Sequence, residues 1–164
     1  MNKVILICGK IASGKTTYAK SLIKRNPAVL LSQDEITSIF FGQFDADKQY
    51  IVVDKVRNYI LKKSLEIINA GSNVIIDWGF WTQVERQEAI LFYEKNNVVV
   101  EWHYIDTSNE ICSKNLIKRN REIEAGQLTS IYYLPEEIAE RFWGEMFEIP
   151  EKSEMDIWYV NRTE

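Results

Sequence analysis

The chain has 164 residues, a length that fits one domain with a sizeable hydrophobic core. Its 46% hydrophobic and 27% charged residues are typical of a globular protein, and its apolar runs are too short to span a membrane. The net charge of −4 argues against a broad nucleic-acid-binding surface, and because no signal-like segment precedes the first predicted strand we expect a cytoplasmic protein.

Short apolar runs alternate with longer amphipathic runs along the chain, a pattern typical of parallel strands joined by crossover helices. The predicted strands are 3–8, 28–32, 73–77, 98–105 and 156–160, and the predicted helices are 15–25, 35–41, 45–70, 83–95, 108–122 and 135–143. No repeat, low-complexity segment or linker interrupts the pattern. We therefore predict a single α/β domain over residues 1–164, with about five mostly parallel strands.

Several residues indicate where the predicted helices begin, end and pack. Thr82 followed by Glu85 is the pattern of a capping box, Gly71 fits the position after a helix end, and Pro135 fits a first helical turn. The apolar face of the long helix is predicted from the spacing of Val53, Val56, Ile60, Leu65 and Ile68.

The cysteine and histidine content predicts neither disulfides nor a zinc site. Cys8 and Cys112 are too few for a disulfide framework, so we expect buried reduced thiols. The single histidine, His103, falls in a predicted strand, where a hydrogen-bonded strand residue is favoured over a lone metal ligand.

The segment between the first strand and the first helix matches G-x-x-x-x-G-K-[ST] at every fixed position, from Gly9 to Thr16. Glycines at these places allow close approach of the backbone, and the N–H groups at the helix start form an anion site. The motif predicts nucleotide binding with Mg²⁺, in which Lys15 reaches the β- and γ-phosphates and the Thr16 hydroxyl binds the metal. The predicted nucleotide-binding residues are Gly9, Lys10, Ala12, Ser13, Gly14, Lys15, Thr16 and Thr17.

Ligands of open parallel sheets gather at the carboxyl ends of the strands, so the residues that follow each strand are candidates for the acceptor site. Asp34 follows the second strand, where its carboxylate could accept the proton of an acceptor hydroxyl or hold Mg²⁺ through water. The alternative is that Asp34 only caps the short helix after it. The spacing of residues does not separate these interpretations.

Asp77 ends the third strand, as the acidic residue of a Walker B element does, and could orient Mg²⁺ or bind the acceptor. A buried structural aspartate is the alternative. Trp78, Phe80 and Trp81 form an aromatic cluster next to it, which could pack in the core or stack on a flat or sugar-like acceptor.

Basic residues gather at the end of the predicted helix 108–122, namely Lys118, Arg119 and Arg121. The arginines could clamp the triphosphate and stabilise charge in the transition state when a lid closes. A solvated helix end, where cations interact favourably with the helix dipole, is the other interpretation.

These motifs together resemble the small P-loop kinase-like proteins grouped with polynucleotide kinase, zeta toxin and chloramphenicol phosphotransferase. The resemblance rests on the phosphate loop and on the segments 31–35, 74–81, 116–121 and 147–150, with Arg86 and Glu154. It implies a three-layer P-loop fold with a small helical lid over about residues 115–134. It also implies Asp34 as catalytic base and Arg119 or Arg121 as lid arginine. We further expect Asp77, Arg86, Trp78 and Trp81 to shape the acceptor pocket.

The resemblance has one departure that bears on the acceptor. Polynucleotide kinases carry an arginine a few residues beyond the catalytic aspartate, and Thr37 stands there in this chain. With the acidic charge, this favours a small hydroxylated molecule over a 5′-hydroxyl of nucleic acid, which stays an alternative. A nucleotide-dependent switch or binding module is a third possible function. As to the nucleotide, the absence of an Asn-Lys-x-Asp guanine-reading motif favours ATP over GTP.

Overall fold

The computed structural model describes residues 2–41, 49–129 and 131–162, without the side chains of residues 49 and 50. The strands are β1 (Val4–Cys8), β2 (Ala28–Ser32), β3 (Asn73–Asp77), β4 (Val100–Asp106) and β5 (Ile157–Val160). The α-helices are α1 (Lys15–Arg25), α2 (Gln33–Phe41), α3 (Gln49–Asn69), α4 (Gln83–Lys95), α5 (Asn109–Glu124) and α6 (Glu136–Arg141). A π-helical turn (Phe142–Met146) follows α6, and a 3₁₀ turn (Lys152–Glu154) precedes β5.

The five strands form one sheet in the order β2-β3-β1-β4-β5, and all four pairings are parallel. β1 lies at the centre of the sheet, between β3 and β4. Parallel pairing brings the carboxyl ends of all strands to one edge, so the loops that follow them meet there. The predicted α/β fold is confirmed.

Alternation along the strands divides the core into two layers, one on each face of the sheet. Val4, Leu6 and Cys8 of β1 pack with residues of α3 and α4. Ile5 and Ile7 face the other way and pack with α1 through Ala19. A residue period of two is what places alternate side chains on opposite faces of a strand. Helices therefore cover both faces, which gives the predicted three layers.

Some predicted ends of helices and strands are confirmed, and others differ from the prediction by one or two residues. The Thr82–Glu85 capping box is formed, and Gly71 has a φ of 87° after α3. Pro135 is the N-cap residue of α6 rather than part of its first turn, and β4 begins at Val100 rather than at residue 98. The predicted start of the long helix, residue 45, lies outside the described residues.

The buried face of α3 is rotated from the predicted one by about one residue at its start. Val52 is buried, whereas Val53 is only half-buried. The buried residues Val56, Ile60 and Ser64 continue that face, and the Ser64 hydroxyl contacts the Tyr93 hydroxyl at 2.8 Å. A polar residue can belong to the core face when its hydroxyl finds a partner there, which apolar spacing alone does not reveal.

No helix among the described residues has both the length and the apolar character that crossing a bilayer requires.

Both cysteines are buried and free, as predicted. Burial raises the pKa of the Cys8 thiol to about 12 and raises the pKa of Cys112, so both are held as neutral thiols.

His103 on β4 is hydrogen-bonded on both ring nitrogens, as expected of a satisfied strand histidine. Its Nδ1 lies 2.9 Å from the Tyr18 hydroxyl, and its Nε2 lies 2.6 Å from Glu101 Oε1. Glu101 also pairs with Lys3. Burial lowers the pKa of His103, and the nearby Glu101 carboxylate opposes that effect only in part. The folded protein therefore favours the neutral imidazole.

This lowered pKa predicts that the free energy of unfolding decreases when the pH falls below about 6.5. An unfolded histidine binds its proton near pH 6.5, before the buried His103 does, so stability falls as pH drops below that value towards the folded pKa. We expect the melting temperature of His103→Gln to change less between pH 7.5 and 5.5 than that of the unaltered protein. Equal pH dependence of the two proteins, measured by thermal denaturation, would contradict the prediction.

Candidate active site

The loop from Gly9 to Thr16 joins β1 to α1 at the carboxyl edge of the sheet. A Cβ on Gly9 would lie 2.9 Å from Ser13 Oγ and 3.2 Å from the Ile105 carbonyl oxygen. Gly14, the N-cap residue of α1, has a φ of 93° and lies against Asn161. Both glycines are thus required, one by close packing and the other by its backbone conformation.

The loop has the features of a phosphate site. It leads into the N-terminus of α1, whose free N–H groups and dipole favour an anion. The Ser13 side chain is completely buried, and its hydroxyl has no hydrogen-bond partner among the described residues. The Lys15 ammonium donates to the Lys10 carbonyl oxygen at 2.7 Å, which places it over the loop. These groups fit the phosphates of a nucleotide in charge and in donor type.

The Thr16 hydroxyl donates to Asp77 Oδ2 at 2.5 Å, which joins the phosphate loop to the end of β3. Asp77 is 5% exposed. Burial raises its pKa, the Lys15 ammonium and the Thr16 hydroxyl act in the opposite direction, and the Asp34 charge adds to the rise. A hydroxyl and a carboxylate are oxygen donors of the kind that Mg²⁺ binds.

The described parts of the chain contain no group of three or more His, Cys, Asp and Glu side chains that could hold a metal. A site with so few protein donors still fits Mg²⁺, because that ion commonly keeps several waters and takes other ligands from substrate phosphates. Both predicted metal residues interact with Asp77: the Thr16 hydroxyl bonds to it directly, and the Asp34 carboxylate acts on it through its charge.

Asp34 lies in the first turn of α2, but it is not the residue that caps the helix. The Glu35 N–H donates to Ser32 Oγ at 3.4 Å, so Ser32 is the residue that caps the helix. The helix α2 begins at Gln33, one residue before Asp34. The Asp34 charge acts on Asp77, Arg119 and Tyr132. The structure thus brings Asp34 to the predicted catalytic groups, and the capping alternative loses its support.

Arg119 and Arg121 occupy different environments, although both end the same helix. Arg119 is partly buried, its Nε has no described partner, and burial lowers its pKa while the Asp34 charge opposes this. Arg121 is exposed and lines an open groove of about 520 Å³ together with Lys118 and Glu122. Of the two, Arg119 is the partly buried one, and the Asp34 charge acts on it.

The aromatic cluster after β3 is divided between core and surface. Trp78 is 4% exposed and stacks on Phe80 with ring centroids 4.9 Å apart, and the Arg57 guanidinium lies 5.0 Å from the Trp78 ring. Its low exposure and these contacts place Trp78 in the core rather than against an acceptor. Trp81 is only half-buried and packs on Phe142, so its ring remains accessible.

Arg86 is also placed inside the protein instead of facing open space. Its side chain is 2% exposed, and Nε and Nη2 donate to the two carboxylate oxygens of Glu154 at 3.1 and 3.3 Å. Nη1 donates to the carbonyl oxygens of Phe80 and Glu148. Four of the five guanidinium N–H groups are engaged in these bonds, and through them Arg86 holds the loop after β3 against the C-terminal segment.

This arrangement predicts a large loss of stability for Arg86→Ala. Removing the guanidinium would leave the Glu154 carboxylate without its cation and two carbonyl groups without this donor, and breaking a buried ion pair costs about 3–5 kcal/mol. Equilibrium unfolding in urea measures this loss. Lys95→Ala, at the exposed end of α4, serves as the control and should change stability by less than about 0.5 kcal/mol. An equally small change for Arg86→Ala would contradict the assignment.

Sequence reasoning missed residues that contact the phosphate loop or Arg119 from distant parts of the chain. Asn115, Thr107, Trp143 and Asn161 donate side-chain hydrogen bonds to loop carbonyl groups, and Tyr132 neighbours Asp34 and Arg119. Thr107 and Asn161 follow β4 and β5 closely, so their places at strand ends were a usable signal. Nothing in the local sequence marks Asn115 or Trp143.

A protein-family model described as AAA domain matches residues 4–131 of the chain. No curated protein sequence matches the chain. The model covers the phosphate loop, α2, β3 and the arginines of α5, and it ends within the segment after α5.

Solved structures that share this fold include two described as kinases and a chain of an RNA repair complex. A proposed kinase from Chloroflexus aurantiacus is 15% identical, with a TM-score of 0.74 over 97% of this chain and 86% of that one. APS kinase of Mycobacterium tuberculosis, solved with AMPPNP and APS, is 14% identical, with a TM-score of 0.64 over 99% of this chain and 90% of that one. A chain of the Pnkp1/Rnl/Hen1 RNA repair complex is 18% identical, with a TM-score of 0.67 over 85% of this chain and 42% of that one. Together with the family model, they confirm the resemblance to P-loop kinase-like proteins in family and fold.

Proposed function

The chain belongs to the AAA domain family, and from that premise we propose that it is an ATP- and Mg²⁺-dependent kinase that phosphorylates a hydroxyl of a small molecule. The observation that carries the proposal is the convergence of three charged groups at one edge of the sheet. Lys15 lies over the phosphate loop, Asp34 lies in the first turn of α2, and Arg119 neighbours Asp34 from α5. A carboxylate and cations at the edge that carries the phosphate loop are suited to positioning a hydroxyl beside a phosphate.

The phosphate side of the site is assigned to the loop and the start of α1. The backbone amides from Gly9 to Thr17 and the Lys15 ammonium would hold the nucleotide phosphates, and the orphaned Ser13 hydroxyl would gain a partner there. The Thr16 hydroxyl would bind Mg²⁺, with Asp77 and Asp34 acting on the ion through bound water. When bound, magnesium ATP supplies the transferable phosphoryl group and neutralises part of its charge.

The acceptor side is assigned to Asp34, Asp77 and Trp81. Asp34 would orient the acceptor hydroxyl and take up its proton, and the accessible ring of Trp81 would contact the body of the acceptor. Arg119 would interact with the oxygens on which charge develops. We further propose that residues 1–164 act as one domain and that segment 115–134 is its lid. Residue 130 of that segment lies outside the described chain.

The test is a panel of acceptors incubated with ATP and Mg²⁺, with products identified by mass spectrometry. The panel contains sugars, nucleosides, hydroxylated antibiotics and 5′-hydroxyl oligonucleotides. We expect a phosphate added to a small-molecule acceptor by the unaltered protein and none by Lys15→Ala. ATP binding without transfer to any acceptor would instead favour a nucleotide-dependent switch.

A second candidate is a kinase of nucleic-acid 5′-hydroxyl ends. It is supported by the likeness to a chain of an RNA repair complex and by the exposed cations Lys118 and Arg121 in the open groove of α5. Thr37 argues against this second candidate, because the polynucleotide kinases that the sequence resembles carry an arginine at that position. Phosphorylation of the oligonucleotides alone would favour this candidate.

A further inference from the structure

Side-chain donors from five places in the chain hold four consecutive carbonyl groups of the phosphate loop. Lys15 donates to the Lys10 oxygen at 2.7 Å, and Trp143 Nε1 donates to the Ile11 oxygen at 3.1 Å. Asn115 Nδ2 donates to the Ala12 oxygen at 3.0 Å. The Ser13 oxygen accepts from both Thr107 Oγ1 and Asn161 Nδ2, at 2.9 and 3.0 Å.

Holding the carbonyl oxygens in this way fixes the direction of the N–H groups on the other side of each peptide. A peptide unit is planar, so an oxygen that is held on one side presents the next residue's N–H on the opposite side. The Ser13 N–H, which follows the Ala12 carbonyl group, donates to the Lys10 carbonyl oxygen at 3.2 Å and closes a turn within the loop. Phosphate binding requires several N–H groups directed at one point. The side-chain donors therefore preorganise the loop before the nucleotide arrives.

Ala12 is the position in the loop where this support matters most. Its φ of 59° is in the left-handed region, which residues other than glycine adopt only when their surroundings hold them there. Its carbonyl oxygen is the one that accepts from Asn115. Asn115 lies on α5, one helical turn before Arg119.

We infer that Asn115 is a positioning residue that holds Ala12 in its left-handed conformation and so keeps the phosphate loop ready for the nucleotide. This inference rests on the proposed nucleotide site. Asn115 and Arg119 belong to one helix. The bond from Asn115 to Ala12 therefore also connects the phosphate loop to the part of α5 on which the Asp34 charge acts. Asn115 acts through Ala12 and needs no contact with the reacting atoms.

The test is a double-mutant cycle of Asn115→Ala and Ala12→Gly, measured as ATP affinity by isothermal titration calorimetry. Asn115→Ala in the original background should weaken ATP binding by about fivefold to tenfold, since one net hydrogen bond is lost. In the Ala12→Gly background the same change should weaken it by less than about twofold, because glycine adopts a positive φ without support. The turnover number at saturating ATP should change less than KM for ATP.

The control is Asn120→Ala, which has the same residue type on the same helix. Asn120 Nδ2 donates to the Leu134 carbonyl oxygen at 2.7 Å and not to the loop, so Ala12→Gly should bring no rescue of this variant. As a readout without nucleotide, the ¹³C chemical shifts of Ala12 should leave the values of a positive φ in Asn115→Ala only.

Equal effects of Asn115→Ala in both backgrounds, or unchanged Ala12 shifts, would overturn the inference while leaving the proposed function intact. A lack of ATP binding by the unaltered protein would overturn the proposed function and, with it, the part assigned to Asn115.

Discussion

Asp34→Asn should abolish most of the phosphoryl transfer, with a fall in turnover of about 10²–10⁴-fold, the range that a positioned general base contributes. Asparagine keeps the size and one oxygen of the side chain but can neither take up a proton nor carry a charge. The Asp34 charge reaches Asp77, Arg119 and Tyr132 within the site, and Ser32 rather than Asp34 caps α2. The fold and the ATP affinity should therefore be retained.

The measurement is steady-state transfer to the acceptor found in the panel, together with ATP affinity by calorimetry. Glu35→Gln is a matched control, because Glu35 is the next residue, is exposed and loses the same charge. Its turnover should stay within a factor of about two. Turnover of Asp34→Asn equal to that of the control would remove Asp34 from the mechanism.

Arg119→Ala should lower turnover by about 10³-fold, the lower end of what an arginine that stabilises transition-state charge contributes. The physical reason is the position of its guanidinium, which is partly buried, neighbours Asp34 and has an Nε without a described partner. Arg119→Lys should recover little, because an ammonium cannot reproduce the planar set of donors.

Arg121→Ala is the matched control for this prediction, since it removes the same side chain two residues along α5. Arg121 is exposed and lines the open groove, so its loss should change turnover by less than about threefold. A larger effect for Arg121 than for Arg119, in the same transfer assay, would reverse the assignment.

The fold was predictable because its strands are buried and its helices carry end signals. The apolar runs at Val4–Cys8 and Asn73–Asp77 form parallel strands as predicted, and the capping box at Thr82 sets the start of α4. The shifted face of α3 was less predictable, because the buried Ser64 continues it through a hydroxyl contact with Tyr93. Such a contact joins residues on different helices and leaves no mark on local periodicity.

The candidate site was predictable where it follows strand ends and less so where it depends on packing. The phosphate loop, Asp34 and Asp77 all lie at the carboxyl edge, which parallel topology brings together. Arg119 and Arg121 could not be separated by sequence, because two residues at a helix end differ only in which face meets the rest of the protein. For the same reason, the burial of Trp78 and Arg86 required the structure.

The fate of the γ-phosphorus of ATP tests the central claim most directly. The protein is incubated with ATP, Mg²⁺ and the pooled acceptors, and ³¹P NMR follows where the phosphorus goes. We predict a phosphomonoester signal that grows as ATP is consumed and that Lys15→Ala does not produce. Inorganic phosphate as the sole product, or no consumption of ATP beyond that of Lys15→Ala, would contradict the assignment of this chain as a kinase.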